Sequence, residues 1–282
     1  MIVYDIIAKM KEYHKGEYNG IPIDEAKTRD KILYGNPNQE CTGIVTSCWA
    51  SIDVIRKAHE FGANLIIVHE ALFWNRGDHT DWLIEQENQT FLAKKQLLDE
   101  TGIVVWRDHD FVHSGIPIAG TYVDGIFYGV MKEIGWEQYL VGDKERPMLF
   151  KIPEQTVAEV GRELLDKFGL NGIKVLGDLN TKVKTVSFCT HIIGENDSAV
   201  ISKVEKDGID LLICLELIDY TLSEYIRDSN MLNFSKAILA IGHFNVEEPG
   251  MAYMVNYIPE AIGVDIPCKF IQSGDMYNFI TR

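Results

Sequence analysis

The chain has 282 residues, of which 46% are hydrophobic and 24% charged, and its net charge is −15. That is the balance of a globular protein long enough for one large domain or two ordinary ones. No apolar run approaches the ~18 residues needed to span a bilayer. A wide acidic surface repels nucleic acid and anionic lipid, so neither is the expected partner. An anionic small molecule remains compatible with this charge if a bound cation sits in the pocket.

The N-terminal stretch MIVYDIIAKMKEYHKG has no basic segment before its apolar residues and no small-residue cleavage site, so it does not read as a secretory signal. It predicts an amphipathic helix, with Ile6, Ile7 and Met10 on one side and Lys9, Lys11 and Glu12 on the other. IVTSCW (44–49) predicts a strand. Ser51 is placed to cap a helix through about Phe61, and NLIIVH (64–69) predicts the next strand. FLAKKQLLDETG (91–102) predicts a helix stopped at Gly102, followed by the strand IVVWRD (103–108). GDKERP (142–147) reads as a polar turn, MLFKIP as a short strand, and 154–168 as a helix. The transition between halves is expected within 140–183. KTVSFCT (184–190), DLLICLEL (210–217) and AILAIGH (237–243) predict three more strands, separated by helices near 196–207 and 219–229. Such alternation predicts α/β layering with mostly parallel strands.

One ungapped match organises the chain. VIRKAHEFGANLIIVHEAL (54–72) lies over VISKVEKDGIDLLICLELI (200–218), with Val54/Val200, Ile55/Ile201, Lys57/Lys203, Gly62/Gly208, Leu65/Leu211, Ile67/Ile213 and Glu70/Glu216 identical. The match predicts two related α/β halves. His69 stands opposite Leu215, so a histidine is not needed to end such a strand, and its presence calls for a chemical reason. The expected domain division is one α/β domain of residues 1–135 plus 236–282, and a second α/β domain of residues 136–235.

Four of the eight histidines fall into three clusters, each just after an apolar strand: VHE (68–70), RDHDFVH (107–113) and GHFNVE (242–247). In parallel sheets, ligands collect beyond the carboxyl ends of the strands. Imidazole mixed with carboxylate is what first-row divalent metals take. Any one cluster is compatible with a polar core edge, a solvated loop or a capping acid. Three together favour a metal site. His69, Glu70, His109, Asp110, His113, His243 and Glu247 offer more donors than the four that a tetrahedral zinc uses, which predicts two ions ~3.5–4 Å apart. Pro249 suggests that a helix starts near the last cluster. Other chemistries lack their signatures: there is no GxxxxGK[ST], no GxGxxG and no GxSxG. Trp74 is readable as a wall for a planar ligand or as packing or an oligomer contact. The five cysteines (Cys41, Cys48, Cys189, Cys214, Cys268) form no CxxC pair, and the reading is of unbridged thiols in a cytoplasmic protein.

These three clusters resemble the Nif-three-like dinuclear metal-centre family, also known as type-two GTP cyclohydrolase I homologues. The resemblance covers most of the chain. It rests on the N-terminal helix, the LIIV strand with the polar pair after it, the 103–113 strand with its histidine, the pseudo-repeat, and Gly-His with Glu four residues on in GHFNVE. The family pattern has two adjacent histidines after LIIV, and an aspartate four residues after the middle histidine. Here Glu70 takes the place of the second histidine and His113 that of the aspartate, so the donor inventory is kept. The resemblance implies His69, Glu70, His113, His243 and Glu247 as metal ligands, with Asp110 the rival of His113. It also implies two divalent ions (zinc, iron or manganese), two α/β domains and a ring of six chains. His109 is the expected catalytic proton carrier, with Glu70 the alternative, although a ligating carboxylate is a poor base. The activity implied is a hydrolase in which metal-activated water attacks a small anionic or heterocyclic substrate. The alternative is a non-catalytic metal-binding scaffold or regulatory protein. Trp74, Trp82 and Trp136 are the aromatic residues expected at the surface of a homo-oligomer.

Overall fold

The computed structural model describes residues 1–75 and 77–280. In chain order it contains α1 (Val3–Tyr13), the hairpin β1 (Glu17–Tyr18) and β2 (Ile21–Pro22), β3 (Ile32–Tyr34), β4 (Ile44–Ser47), α2 (Ile52–Phe61) and β5 (Leu65–Val68). Next come α3 (Asp81–Glu85), α4 (Gln89–Thr101), β6 (Val104–Arg107), α5 (Asp110–Ser114), the hairpin β7 (Ile116–Ile118) and β8 (Thr121–Val123), and α6 (Gly125–Ile134). Then follow β9 (Leu149–Thr156), α7 (Val157–Phe168), β10 (Lys174–Leu176), β11 (Lys182–Ile192), α8 (Asp197–Lys206) and β12 (Leu211–Leu217). The chain closes with α9 (Leu222–Met231), β13 (Ala237–Ala240), α10 (His243–Ile262) and β14 (Cys268–Phe270).

The chain divides into two compact units, Met1–Gly129 with Gly250–Ser273, and Val130–Pro249 with Gly274–Arg282. The break after Gly129 falls before the 140–183 stretch where the sequence pattern places the transition. The second unit also takes residues 236–249, which that pattern assigns to the first domain. The reason is strand pairing: β13 lies between β12 and β10.

The first unit's sheet has the order β14-β4-β5-β6-β3, parallel except for β3. All four residues of β4, β5 and β6 are buried, as expected of strands covered on both faces. Alternate side chains go to opposite sides. Ile44, Leu65, Ile67, Val104 and Trp106 pack with Val3, Ile6, Ile7 and Met10 of α1 and with Met251, Met254 and Ile258 of α10. Val45, Ile66, Val68 and Val105 pack with Val54, Ile55 and Ala58 of α2 and with Phe91 and Leu98 of α4. The Ser51 hydroxyl accepts from Val54 N at 3.2 Å, as its N-cap position predicts. At Gly250 of α10, a Cβ would lie 2.5 Å from Ile126 Cα, so this helix contact requires glycine.

The second unit's sheet has the order β10-β13-β12-β11-β9, with β11, β12 and β13 parallel and both edges antiparallel. Ile192, Leu212, Cys214 and Ile238 pack with Val204 of α8 and with Leu222 and Ile226 of α9. The matched segments fold alike: α2–Gly62–β5 corresponds to α8–Gly208–β12, with both glycines at positive φ. The correspondence extends to β4-β5-β6 beside β11-β12-β13, and to an antiparallel strand on the outer side of β6 and of β13. The fold is therefore two related α/β halves with mixed, mostly parallel sheets.

Trp74 and Trp82 are exposed, but Trp136 is buried and its Nε1 donates to Glu163 at 3.1 Å. Its indole has a polar partner inside, so Trp136 drops out of the surface aromatics. Pro249 lies inside α10, which begins at His243, so it does not mark the helix start. Among the described residues, no helix is long and apolar enough to cross a membrane.

Lys94 of α4 is only 1% exposed. Its Nζ donates to the Leu72 carbonyl at 2.8 Å and lies 5.0–5.7 Å from the ring centres of Trp49, Phe73 and Trp74. Burial pulls its pKa down to about 7. A lysine depressed in the folded state binds fewer protons there than when unfolded, so stability rises with pH between about 7 and the ordinary lysine value. The slope contributed is up to about 1.4 kcal/mol per pH unit. Lys94→Met should flatten that slope and raise the melting temperature at pH 7. A melting temperature that falls equally at pH 7 and pH 10 would show that the ammonium contributes more through its contacts than burial costs it.

Candidate metal centres

The first unit's candidate site begins where β5 and β6 end. His69 follows β5 directly and is fully buried. Its backbone N, like that of Glu70, donates to the Cys48 carbonyl, at 3.0 and 2.9 Å, which turns the chain sharply off the strand. His69 Nδ1 lies 3.0 Å from the Asp108 carbonyl oxygen. A carbonyl can only accept, so Nδ1 carries the proton and Nε2 the lone pair. His109 ends the turn after β6, and His113 lies one turn along α5. The His69 and His109 rings stack at 4.5 Å and 9°, and His113 meets them edge-on at 4.9 and 5.2 Å. One nitrogen from each ring lies within 4.8 Å of the others, a set that could hold an ion.

Acidic residues fix these rings. Asp124 Oδ2 is 2.9 Å from His113 Nδ1, while its Oδ1 accepts from Ile126 N and Phe127 N at 3.1 Å and so caps α6. Asp30, which is buried, accepts from the backbone N of His109 (2.9 Å), Asp110 (2.7 Å) and Phe111 (3.3 Å). Burial, and then the neighbouring Asp30, push Asp108 well above the usual carboxylate range. His109 is differently placed from its neighbours. Its Nδ1 lies 2.9 Å from Asp110 Oδ1, and its Nε2 lies 3.0 Å from Arg29 Nη1, which can only donate. Both nitrogens are engaged by the protein, which suits a proton carrier better than a ligand. Burial lowers its pKa, the Asp110 hydrogen bond opposing. Asp110 is tied down as well, since its Oδ2 accepts from Arg29 N at 3.0 Å. Burial would raise the Asp110 pKa, but hydrogen bonds from His109, Arg29 N and Thr28 outweigh it and hold the carboxyl far below its ordinary value. Of the two rivals, Asp110 is thus held by His109, Arg29 and Thr28, and His113 by Asp124.

The second unit carries its own cluster. His191, Glu216 and His243 stand at the ends of β11, β12 and β13, which are neighbours in the sheet. Glu216 Oε2 is 2.6 Å from His191 Nδ1, and its Oε1 is 2.5 Å from His243 Nδ1. Burial would raise Glu216, but the two imidazole hydrogen bonds prevail and bring its pKa down to about 2. Glu247, one turn along α10, places Oε2 3.3 Å from His243 Nε2. Gly242 makes the sharp exit from β13 at φ 118°, where a Cβ would sit 2.6 Å from Asn245 Oδ1.

Residues 3–275 match the Duf34/NIF3 (NGG1p interacting factor 3) family. The chain belongs to that family. Among curated relatives, a Clostridium perfringens protein named GTP cyclohydrolase 1 type 2 homolog is 24% identical over 256 residues, covering 88% of this chain and 90% of that protein. Among solved structures, the Staphylococcus aureus hypothetical protein SA1388 aligns with a TM-score of 0.69 at 13% identity, over 99% of both chains. A Bacillus cereus protein related to NIF3 aligns with the same score at 12% identity, again over 99% of both. At those identities the structural likeness shows the fold.

Within this Duf34/NIF3 chain, His69, Glu70, His109 and His113 belong to the first unit and His243 and Glu247 to the second. The sequence reading passes over His191 and Glu216. The signal was present in both: His191 directly follows an apolar strand, like the histidines singled out, and Glu216 is the repeat partner of Glu70. Asp30 and Asp124, which hold backbone and ring in place, give no such signal, because a capping carboxylate looks like any polar loop residue.

Proposed function

We propose that the protein is a divalent-metal-dependent hydrolase acting on a small anionic or heterocyclic substrate, with metal held by His69, Glu70 and His113 in the first unit and by His243 and Glu247 in the second. The carrying observation is the locked tautomer of the imidazoles. His69 donates Nδ1–H to a carbonyl and His113 faces a carboxylate through Nδ1, the arrangement that raises ligand basicity and aims Nε2 at a cation. The donor chemistry fits zinc, iron or manganese equally. A divalent ion bound there supplies Lewis acidity and lowers the pKa of a coordinated water towards ~7. The protein's own part is to hold the rings and to move a proton. His109 is the residue for that last task. Its Nδ1–H···Asp110 contact fixes the ring, and Nε2 accepts a proton once the Arg29 guanidinium swings from it to the substrate anion. The test is a hydrolase panel of phosphoesters and purine nucleotides with Zn²⁺, Fe²⁺ or Mn²⁺ restored. Turnover that survives chelation would defeat the reading. Ion binding without turnover of any panel member would favour the scaffold instead.

The exchange of ligand types at positions 70 and 113 gives a sharper check. Glu70→His and His113→Asp each substitute one metal-competent donor for another, so each variant should keep its bound metal. The double change restores the family's usual pair and should keep it too. A correctly folded double variant that loses its metal would show that these positions do not coordinate.

The reading includes a homo-oligomer, the ring of six that the resemblance implies. Trp74 and Trp82, each 43% exposed, are among the apolar side chains available for burial between chains. Light scattering should give the mass of the hexamer at micromolar concentration. A monomer throughout that range would remove the assembly from the account.

A further inference from the structure

His243 stands between two carboxylates and cannot donate to both while neutral, because an uncharged imidazole carries a single N–H. The two contacts are unequal. The 2.5 Å from Nδ1 to Glu216 is shorter than an ordinary N–H···O hydrogen bond. The 3.3 Å from Nε2 to Glu247 is long for such a bond. It matches the spacing of two donor atoms on one tetrahedral ion with bonds of about 2.0–2.1 Å, which is roughly 3.3 Å.

We propose that Glu216, clamped by His191, is the positioning residue that fixes His243 in its Nδ1–H tautomer and thereby makes Nε2 and Glu247 a ready donor pair for a divalent cation. The proposal rests on the metal reading above and adds two residues to it, neither of them a ligand. The sheet builds the arrangement. β11 and β12 pair His191 directly with Glu216, and Ile241 N donates to the Cys214 carbonyl at 3.1 Å as the chain leaves β13. Gly242 then turns the chain so that His243 opens α10 beside the carboxylate. Three adjacent parallel strands therefore deliver His191, Glu216 and His243 side by side. Each Glu216 oxygen takes one ring, at 2.6 and 2.5 Å, which prevents the carboxylate from rotating. The two rings lie 5.2 Å apart, tilted by 46°. His191 thus acts on Glu216, and Glu216 on His243. His191, Glu216 and His243 can themselves offer ligand atoms within 4.8 Å of one another. The atoms in contact at 2.5–2.6 Å are closer than the roughly 3.3 Å between ligand atoms of a tetrahedral site, so an ion on Glu216 would require this clamp to open.

The first test needs no metal. In ¹⁵N-histidine-labelled, chelator-treated protein, long-range ¹H–¹⁵N spectra should show His243 protonated at Nδ1. Glu216→Gln should shift that resonance towards the Nε2–H form, and Glu216→Asp should restore part of the wild-type signature. Calorimetric titration with Zn²⁺ follows. Glu216→Gln should weaken binding by about 10–100-fold with the number of ions per chain unchanged. His191→Ala should weaken it less, since it acts at one remove. An Nε2–H His243 in the wild-type protein would overturn the proposal, and so would unchanged affinity in Glu216→Gln. Loss of one whole ion in Glu216→Gln would overturn it too, by making Glu216 a ligand. If the tautomer responds as expected but the wild-type chain takes up no Zn²⁺, the metal reading fails and the Glu216–His243 contact stands. Glu216→Gln keeps the side-chain volume, and a thermal melt of each variant checks that it is folded.

Discussion

Asp30→Ala should destabilise the protein by about 3–5 kcal/mol, the largest effect expected of any single polar substitution in the first unit. The carboxylate is buried and gathers three backbone N–H groups from His109, Asp110 and Phe111, the turn that carries the proton carrier and leads into His113. Hydrogen bonds to a charged acceptor contribute about 1.5–3 kcal/mol each, and alanine leaves the donors without that acceptor in a place water reaches poorly. Arg107 binds the Arg29 carbonyl at 2.6 Å and Asp78 in a bidentate pair, so the segment beside Asp30 is anchored independently. The damage should therefore be local as well as global. Hydrogen exchange at residues 109–113 should quicken more than elsewhere, and the stacked pair His69–His109 should loosen. Asp30→Asn should be intermediate, because an amide oxygen replaces only part of the acceptor capacity. A melting temperature within 1–2 °C of wild type, about the shift of a few tenths of a kcal/mol, would show that the hub is not structural.

Removing a ligand should act through a different term. His69→Ala and His243→Ala should each lose bound metal, and each should lose the part of the stability that metal supplies. A ligand that binds only the folded state stabilises it by RT ln(1 + [L]/Kd), about 2.7 kcal/mol at a hundredfold excess over Kd. For the wild-type chain, the melting temperature should climb with added Zn²⁺ or Mn²⁺ and fall on chelation. In a His69→Ala/His243→Ala double variant it should not respond. In the absence of metal, His243→Ala should cost little beyond its hydrogen bond to Glu216, since His243 is a quarter exposed at the start of α10. His69→Ala should cost more, because His69 is fully buried and its Nδ1–H leaves the Asp108 carbonyl unsatisfied. A variant that keeps the full metal-dependent shift would remove that histidine from the ligand set.

Much of the fold is legible because the core writes itself in period and punctuation. LIIV, IVTS and VVWR are strands buried on both faces, and Gly62 and Gly102 end helices at positive φ where the chain shows glycine after an amphipathic run. The pseudo-repeat carries the most information, since the ungapped match alone predicts equivalent helix–strand units. The division between units was less legible. β13 is adjacent in space to β12 and to β10, and nothing in AILA records which neighbours a buried strand will take. Burial of Trp136 was hidden for a similar reason: its environment includes Glu163, twenty-seven residues away in sequence. At the site, the residue types could be read from the sequence but their engagement could not. His109 and His113 look equivalent in RDHDFVH. Arg29 and Asp110 meet the two nitrogens of one, while Asp124 lies against Nδ1 of the other. Asp110 is the next residue, but Arg29 and Asp124 come from other segments, 80 and 11 residues from the rings they meet, so local pattern carries no trace of those two.

The most direct measurement is elemental analysis of the chain after dialysis against limiting Zn²⁺, Fe²⁺ or Mn²⁺ under reducing conditions, with the His69→Ala/His243→Ala variant dialysed beside it. The account predicts two divalent ions per wild-type chain and a large loss of them in the variant. Equal metal in both, or none in the wild type, would contradict it.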